Sequence, residues 1–147
     1  MKIRVSFLFF IGIFLVGSTA LGYYYYFVYS PPLKAAALFM EHMEAKNEQA
    51  LRGDIIVSSD IEEDMLREPT DSEMREMLAD NFQRGRIVDQ RRRDGRTRDF
   101  WYLVYREPDG RIYALIATEM DGRFRIVIPE IPETNRHRYL WDYTWTN

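Results

Sequence analysis

Residues 5–29 form a run of apolar, aromatic and small side chains without a single charge, opened by Lys2 and Arg4 and followed by Ser30-Pro31-Pro32. A helix rises about 1.5 Å per residue, so a helix over this run exceeds the roughly 30 Å of hydrocarbon in a bilayer and can cross it with tilt. Its far end is crowded with Tyr23, Tyr24, Tyr25, Tyr26 and Tyr29. Tyrosine joins an apolar ring to a polar hydroxyl, which suits the headgroup boundary, so these five are predicted to form an interfacial belt against membrane lipid. The basic pair at the start keeps that end in the cytoplasm and places the residues after Pro31 outside.

A cleaved signal peptide is the rival reading. Residues 5–16 have the length of a signal core, and Gly17-Ser18-Thr19-Ala20-Leu21-Gly22 offers small residues for cleavage after Ala20 or Gly22. Cleavage would leave the tyrosine run as an exposed apolar terminus, which needs a partner to cover it. The chain has no cysteine, so a lipoprotein anchor is excluded and no disulfide can brace the outer part.

Residues beyond 30 suffice for one compact domain and not for two comfortable ones. Of the 20 Lys+Arg, Lys2 and Arg4 precede the run, which leaves 18 against 23 Asp+Glu and a net charge of −5. Nucleic-acid-binding domains display a basic face, so nucleic acid is not expected as a partner. The chain divides into 1–30 (anchor), 31–129 (an α+β domain) and 130–147 (an aromatic tail).

The spacing of Ala36, Phe39, Met40, Met43, Asn47 and Ala50 predicts one amphipathic helix over 33–51, ended by Gly53. Ile55-Ile56-Val57 reads as a short buried segment. Ser59 is predicted to cap one or two helical turns running to Arg67, with Pro69 as the stop. Thr70 and Glu73 form a T-x-x-E capping box, followed by the core stripe Met74, Met77, Leu78 and Phe82 before Gly85. From Arg86 the period becomes two, and Asp94-Gly95, Asp109-Gly110 and Asp121-Gly122 punctuate four runs. Asp-Gly tolerates the positive φ of tight turns, so these runs predict an antiparallel meander. In the last run Ile126 and Ile128 are expected to face the core while Arg123 and Arg125 face water. The run 100–105 is apolar on both faces and should be central or covered.

Further features carry no motif of their own. Arg91, Arg92, Arg93, Arg96 and Arg98 surround one turn and are read either as a grip for anionic groups or as a solvated tip that protects a sheet edge. Tyr139, Trp141, Tyr143 and Trp145 recur at period two. Such a row must be covered by its own sheet, the bilayer or another subunit, and it is read as an interaction element, whereas Arg136 and Arg138 are candidates to add to the arginine surface of the turn at 91–98. His42 and His137 lack the i, i+4 partner of a helical zinc site, and no metal is implied.

Particular stretches carry a resemblance: Pro32 before Ala35-Ala36-Ala37-Leu38-Phe39-Met40, Ala50-Leu51, Phe82-Gln83-Arg84-Gly85-Arg86-Ile87, and Asp121-Gly122-Arg123-Phe124-Arg125-Ile126. With the order of elements, residues 31–129 resemble the cystatin-like roll of the nuclear transport factor 2-like superfamily. Within it they look like small bacterial exported or membrane-anchored domains similar to lumazine-binding proteins. Many relatives carry Asp-Gly-x-Trp-x-Ile where Phe124 stands. The resemblance implies helices packed on a curved sheet around an apolar cone, at the outer face of a bacterial inner membrane. Enzymatic relatives place an acid or histidine inside the cone; here the corresponding candidates are Asp89, Asp99, His42, Tyr102 and Tyr113, with Phe39, Met43, Tyr102 and Tyr113 as pocket lining. The expected role is a non-catalytic accessory or assembly subunit of a membrane complex, or a self-associating one, with no cofactor. The alternative is a small-ligand binding module, or an enzyme, using the cone.

Overall fold

The computed structural model describes residues 2–26, 30–133 and 137–142, with side chains from Ser6 onward. It separates into two units, Met1–Pro31 and Pro32–Asn147. The first is the helix α1, Lys2–Tyr24. Its polar Thr19 donates Oγ1–H to the Leu15 carbonyl at 2.8 Å, so the hydroxyl is satisfied within the helix. Phe7, Leu8, Phe9, Phe10, Phe14 and Val16 are all exposed, as are Tyr23 to Tyr26. Tyr29 lies outside the described residues.

Ser30-Pro31-Pro32 opens helix α2, Ser30–Glu44. Proline is accepted in a first turn because the amide it lacks would have no intrahelical acceptor. Ala36, Phe39, Met40 and Met43 are buried, as their spacing requires. The single helix expected over 33–51 is in fact two. Lys46 takes a positive φ of 49°, and Asn47 starts α3, Glu48–Asp54, by accepting the Ala50 amide at 3.2 Å. The corner turns Leu51 into the core.

The predicted turns capped by Ser59 are also corrected. Strand β1, Ile55–Asp60, and strand β2, Met65–Arg67, form an antiparallel hairpin. The side chain of Asp60, not Ser59, accepts the amides of Glu62 and Glu63, and Asp64 completes the turn at φ 56°. Helix α4, Asp71–Ala79, begins at the expected capping box: Thr70 Oγ1 accepts the Glu73 amide at 3.2 Å, and Glu73 accepts the Thr70 amide at 2.8 Å. It ends before Phe82, so Gly85 is not its terminator. Gly85 is needed elsewhere, because a Cβ there would stand 2.4 Å from the Arg106 carbonyl and 2.5 Å from the Tyr105 ring.

The meander follows as strands β3, Arg86–Asp94, β4, Asp99–Arg106, β5, Ile112–Met120, and β6, Arg123–Pro129. Asp121 and Gly122 both adopt positive φ in the β5–β6 turn. The sheet runs β2-β1-β6-β5-β4-β3, and β1 lies parallel to β6 with Ile55 beside Ile126 and Val57 beside Ile128. One face carries the main core: Trp101, Leu103, Tyr105, Leu115, Ile126 and Ile128 packed on Phe39, Met43, Leu51, Met74 and Met77 of the helices. The other carries a smaller cluster of Ile56, Phe100, Ile116 and Val127, against which Ile61, Leu66, Tyr102 and Trp141 pack.

Both faces of β6 are therefore covered, which overturns the wet face expected at Arg125. That side chain is buried, donating to Glu68 at 2.6 and 2.7 Å and to the carbonyls of Ile55 at 2.5 Å and Arg52 at 3.2 Å. The guanidinium is tolerated because both of its terminal nitrogens meet acceptors, although its Nε is buried without one among the described residues. The aromatic tail is corrected too. Tyr139 and Leu140 are fully buried in the main core, and Trp141 forms an antiparallel bridge to Ala114 with both backbone bonds at 3.0 Å. Tyr143 and Trp145 lie outside the described residues.

Candidate functional site

Every space a ligand could use depends on how the two faces are filled. On the helix side the cone is occupied. Tyr139 inserts beside Phe39, with ring centroids 5.3 Å apart in an edge arrangement, and beside Phe82 at 5.8 Å. Met43, Leu103 and Tyr105 pack in the same core, and Tyr113 is packed against it. The Tyr105 hydroxyl accepts the Gly85 amide at 2.7 Å and donates to the Gln83 carbonyl at 3.0 Å. Burial, partly offset by the Gly85 amide, pushes that hydroxyl up to about 12. Phe39, Met43 and Tyr113 are thus packing residues, while Tyr102 points to the opposite face.

On that opposite face lies a cleft of about 280 Å³. Ile61, Ala114 and Ile116 give it an apolar floor; the rings of Tyr102 and Trp141 stand beside it; Glu62, Arg93, Glu133 and Asp142 supply charge. Trp141 is fixed by its indole N–H, which donates to the Val127 carbonyl at 2.8 Å. A second hollow of about 200 Å³ continues over Phe100 toward Asp94, Gly95 and Arg96. The Tyr102 hydroxyl is raised above the ordinary phenol range by burial, with Arg93 opposing and Glu62 and Glu133 adding to the rise. Burial penalises the phenolate, and the two carboxylates do so further.

Of the five arginines around the β3–β4 turn, Arg93 lines this cleft and Arg96 lines the second hollow. The five neither stand free nor form one basic patch. Arg93 pairs with Glu62 at 3.4 Å, Arg96 with Glu63, and Arg98 with Asp64 at 2.8 Å, so the basic turn is clasped to the acidic β1–β2 turn. Thr97 adds a hydroxyl bond to Asp64. Arg92 pairs with Asp99 and lies 5.5 Å from the Trp101 ring, and Arg91 is 3.6 Å from Asp89. Asp89 and Asp99 are therefore partners of surface arginines. Period-two reading along β3 does not disclose the clasp, because Glu62, Glu63 and Asp64 lie in a hairpin turn whose sequence predicts helical turns.

Two histidine pairs complete the polar architecture. His42 Nδ1 bonds Asp54, which also receives Arg123 at 3.5 Å; the contact joins α2 to α3 across the Lys46 corner. His137 sits between Asp80 at 2.6 Å and Glu107 at 2.8 Å and stacks on Tyr139 at 5.2 Å. Arg138 reaches Glu73 at 2.9 Å and Glu76 at 3.2 Å, and Glu73 also holds Arg67 at 2.7 Å. That hydrogen-bonded Arg67, aided by Thr70, lowers the Glu73 carboxyl to about 2. Sequence reasoning missed the bonds of His137 to Asp80 and of Arg138 to Glu73 because they join residues 57 and 65 positions apart.

No protein family, curated protein or solved structure matches this chain. The α+β domain and its apolar N-terminal helix are what the geometry itself defines.

Proposed function

We propose that this chain is a single-pass membrane protein with its N-terminus in the cytoplasm. Its outward domain is a cystatin-like roll acting as a non-catalytic accessory or assembly subunit of a bacterial inner-membrane complex. One observation carries the reading: Ser6–Tyr24 is a 19-residue helical stretch, long and apolar enough to cross a membrane, whose side chains are exposed. Side chains of this kind are stable in lipid or under a partner and unfavourable in water. A signal sequence meets the same description, and it is the outcome the first test separates.

The roll is supported by the strand order, by the parallel β1–β6 pair beside an antiparallel meander, and by helices on one face. An accessory role is supported by the filling of the helix-side core by Phe39, Met43, Tyr105 and Tyr139. The polar residues singled out in the sequence, His42, Asp89 and Asp99, are engaged in ion pairs outside that core. The open cleft beside Tyr102 and Trp141 is the surface offered to a partner.

Alkaline carbonate washing of membranes tests the anchor, and purification in mild detergent followed by mass spectrometry tests the assembly. The reading expects the full-length protein, starting at Met1, to remain in the pellet and to co-purify with defined partners. A mature N-terminus at Leu21 or Tyr23 refutes the anchor. Recovery alone and monomeric in several detergents refutes the subunit role.

A further inference from the structure

The cleft holds a chemical contradiction that a ligand would resolve. Among the described residues, three carboxylates, those of Glu62, Glu133 and Asp142, face it against one guanidinium, that of Arg93. Arg93 is already engaged by Glu62 at 3.4 Å. Among the described residues no lysine or arginine pairs with Glu133 or Asp142; Glu133 accepts only the Asp142 amide at 3.2 Å. Yet the floor between these charges is aliphatic, and two aromatic rings border it. An aliphatic floor, aromatic walls and an acidic rim match a group that is apolar along its stem and positive at its tip. The methylenes of such a group cover apolar surface, ring faces attract its charge, and carboxylates bond its N–H groups. An anionic ligand would meet the same rim with repulsion.

We propose that this cleft binds an organic cation, an ammonium or guanidinium group carried on an aliphatic stem. An aliphatic stem covers Ile61 and Ile116 while its charged tip meets the carboxylates that line the same cleft, with Trp141 fixed alongside by the Val127 carbonyl. The chemistry is shared by a lysine or arginine side chain of a protein partner and by a diffusible polyamine. The inference rests on reading this cleft as the surface offered to a partner and is independent of the anchor, so a failed carbonate wash leaves it standing.

The test uses the full chain in detergent micelles, followed by nuclear magnetic resonance. The probes are n-butylammonium and n-butylguanidinium, with n-butyrate and n-butanol as controls. Saturable shifts are expected at Ile61, Tyr102, Ile116 and the Trp141 indole with both cations, weakening as salt rises. Glu133→Gln and Glu62→Gln should each weaken binding roughly three- to fivefold, the scale of an exposed charge pair, whereas Glu41→Gln on the far side of the sheet should not. Equal binding of butyrate or butanol, absence of cation binding, or indifference to salt and to both glutamine variants would each overturn the proposal. Salt dependence in the unaltered protein keeps the test decisive if a variant misfolds. Nα-acetyl-lysine methylamide and spermidine then separate the sources: tighter lysine binding assigns a protein partner, tighter spermidine a diffusible amine.

Discussion

Replacing Tyr139 in two ways tests whether the C-terminal segment is part of the fold. The side chain is 0% exposed and touches Phe39, Phe82 and His137. A buried tyrosine removes about 200 Å² from water, which at about 25 cal/mol per Å² corresponds to about 5 kcal/mol as an upper figure. Tyr139→Ala should therefore cost about 4 kcal/mol, within the range of large aromatic deletions, out of a total domain stability of about 5–15 kcal/mol. Tyr139→Phe should do the reverse. The hydroxyl is buried without a partner among the described residues, and burial raises it above the ordinary phenol range. Removing an unpaired hydroxyl while keeping the ring should raise stability by about 1 kcal/mol. Thermal unfolding of the full chain in detergent, followed by near-ultraviolet circular dichroism, reads both. At roughly 4 °C per kcal/mol for a domain of this size, alanine lowers the midpoint by about 15 °C or abolishes the transition, and phenylalanine raises it a few degrees. A mild alanine variant would show that the segment is peripheral, and a destabilised phenylalanine variant would show that the hydroxyl is bonded.

Arg125→Met should cost about 3 kcal/mol in denaturant unfolding, because it strips donors from Glu68 and two carbonyls, whereas Arg96→Gln on the exposed clasp should stay within about 0.5 kcal/mol; equal losses would refute the distinction. Glu73 is held at about 2 by Arg67, so its contribution is present above the ordinary carboxylate range and declines as pH falls from about 4.5 toward 2. Glu73→Gln should cost up to about 3 kcal/mol at neutral pH and flatten the acid limb of the stability curve; an unchanged acid limb counts against it. Gly85→Ala should destabilise by more than about 2 kcal/mol, since the new methyl meets backbone and a buried ring, and a neutral result by calorimetry would contradict the packing at Tyr105.

What the sequence disclosed was whatever depended on near neighbours. The Thr70–Glu73 box and the turn at Asp121-Gly122 are set within four residues and were legible at once. The Ile55 segment was recognised as buried, but its parallel partner at Ile126 was not, since nothing local encodes which strand lies alongside. The Asn47 corner was hidden because Asn47 falls on the same helical spacing as the core stripe, although an asparagine before Glu48 is a start signal. Tyr139 misled for a physical reason. A period-two aromatic row shows that the rings need cover and says nothing of where the cover comes from; here the helix-side core supplies it for Tyr139. The cleft depends on Glu62, Tyr102 and Trp141, three distant segments that only the folded sheet brings together.

The parallel pairing of β1 with β6 also sets the order in which the chain can be completed. Ile55 meets its partner about seventy residues later, and such distant closure is slow because the loop entropy is lost before any contact repays it. The meander from β3 to β6 can assemble through short turns, whereas the β1–β2 hairpin has only its own six-residue and three-residue strands until β6 exists. During synthesis the first half of the domain therefore waits with Ile55, Ile56 and Val57 uncovered. An unpaired apolar edge of that kind is the point where a second copy, a chaperone or an aggregate can bind first, so the last strand made governs whether the first is ever protected.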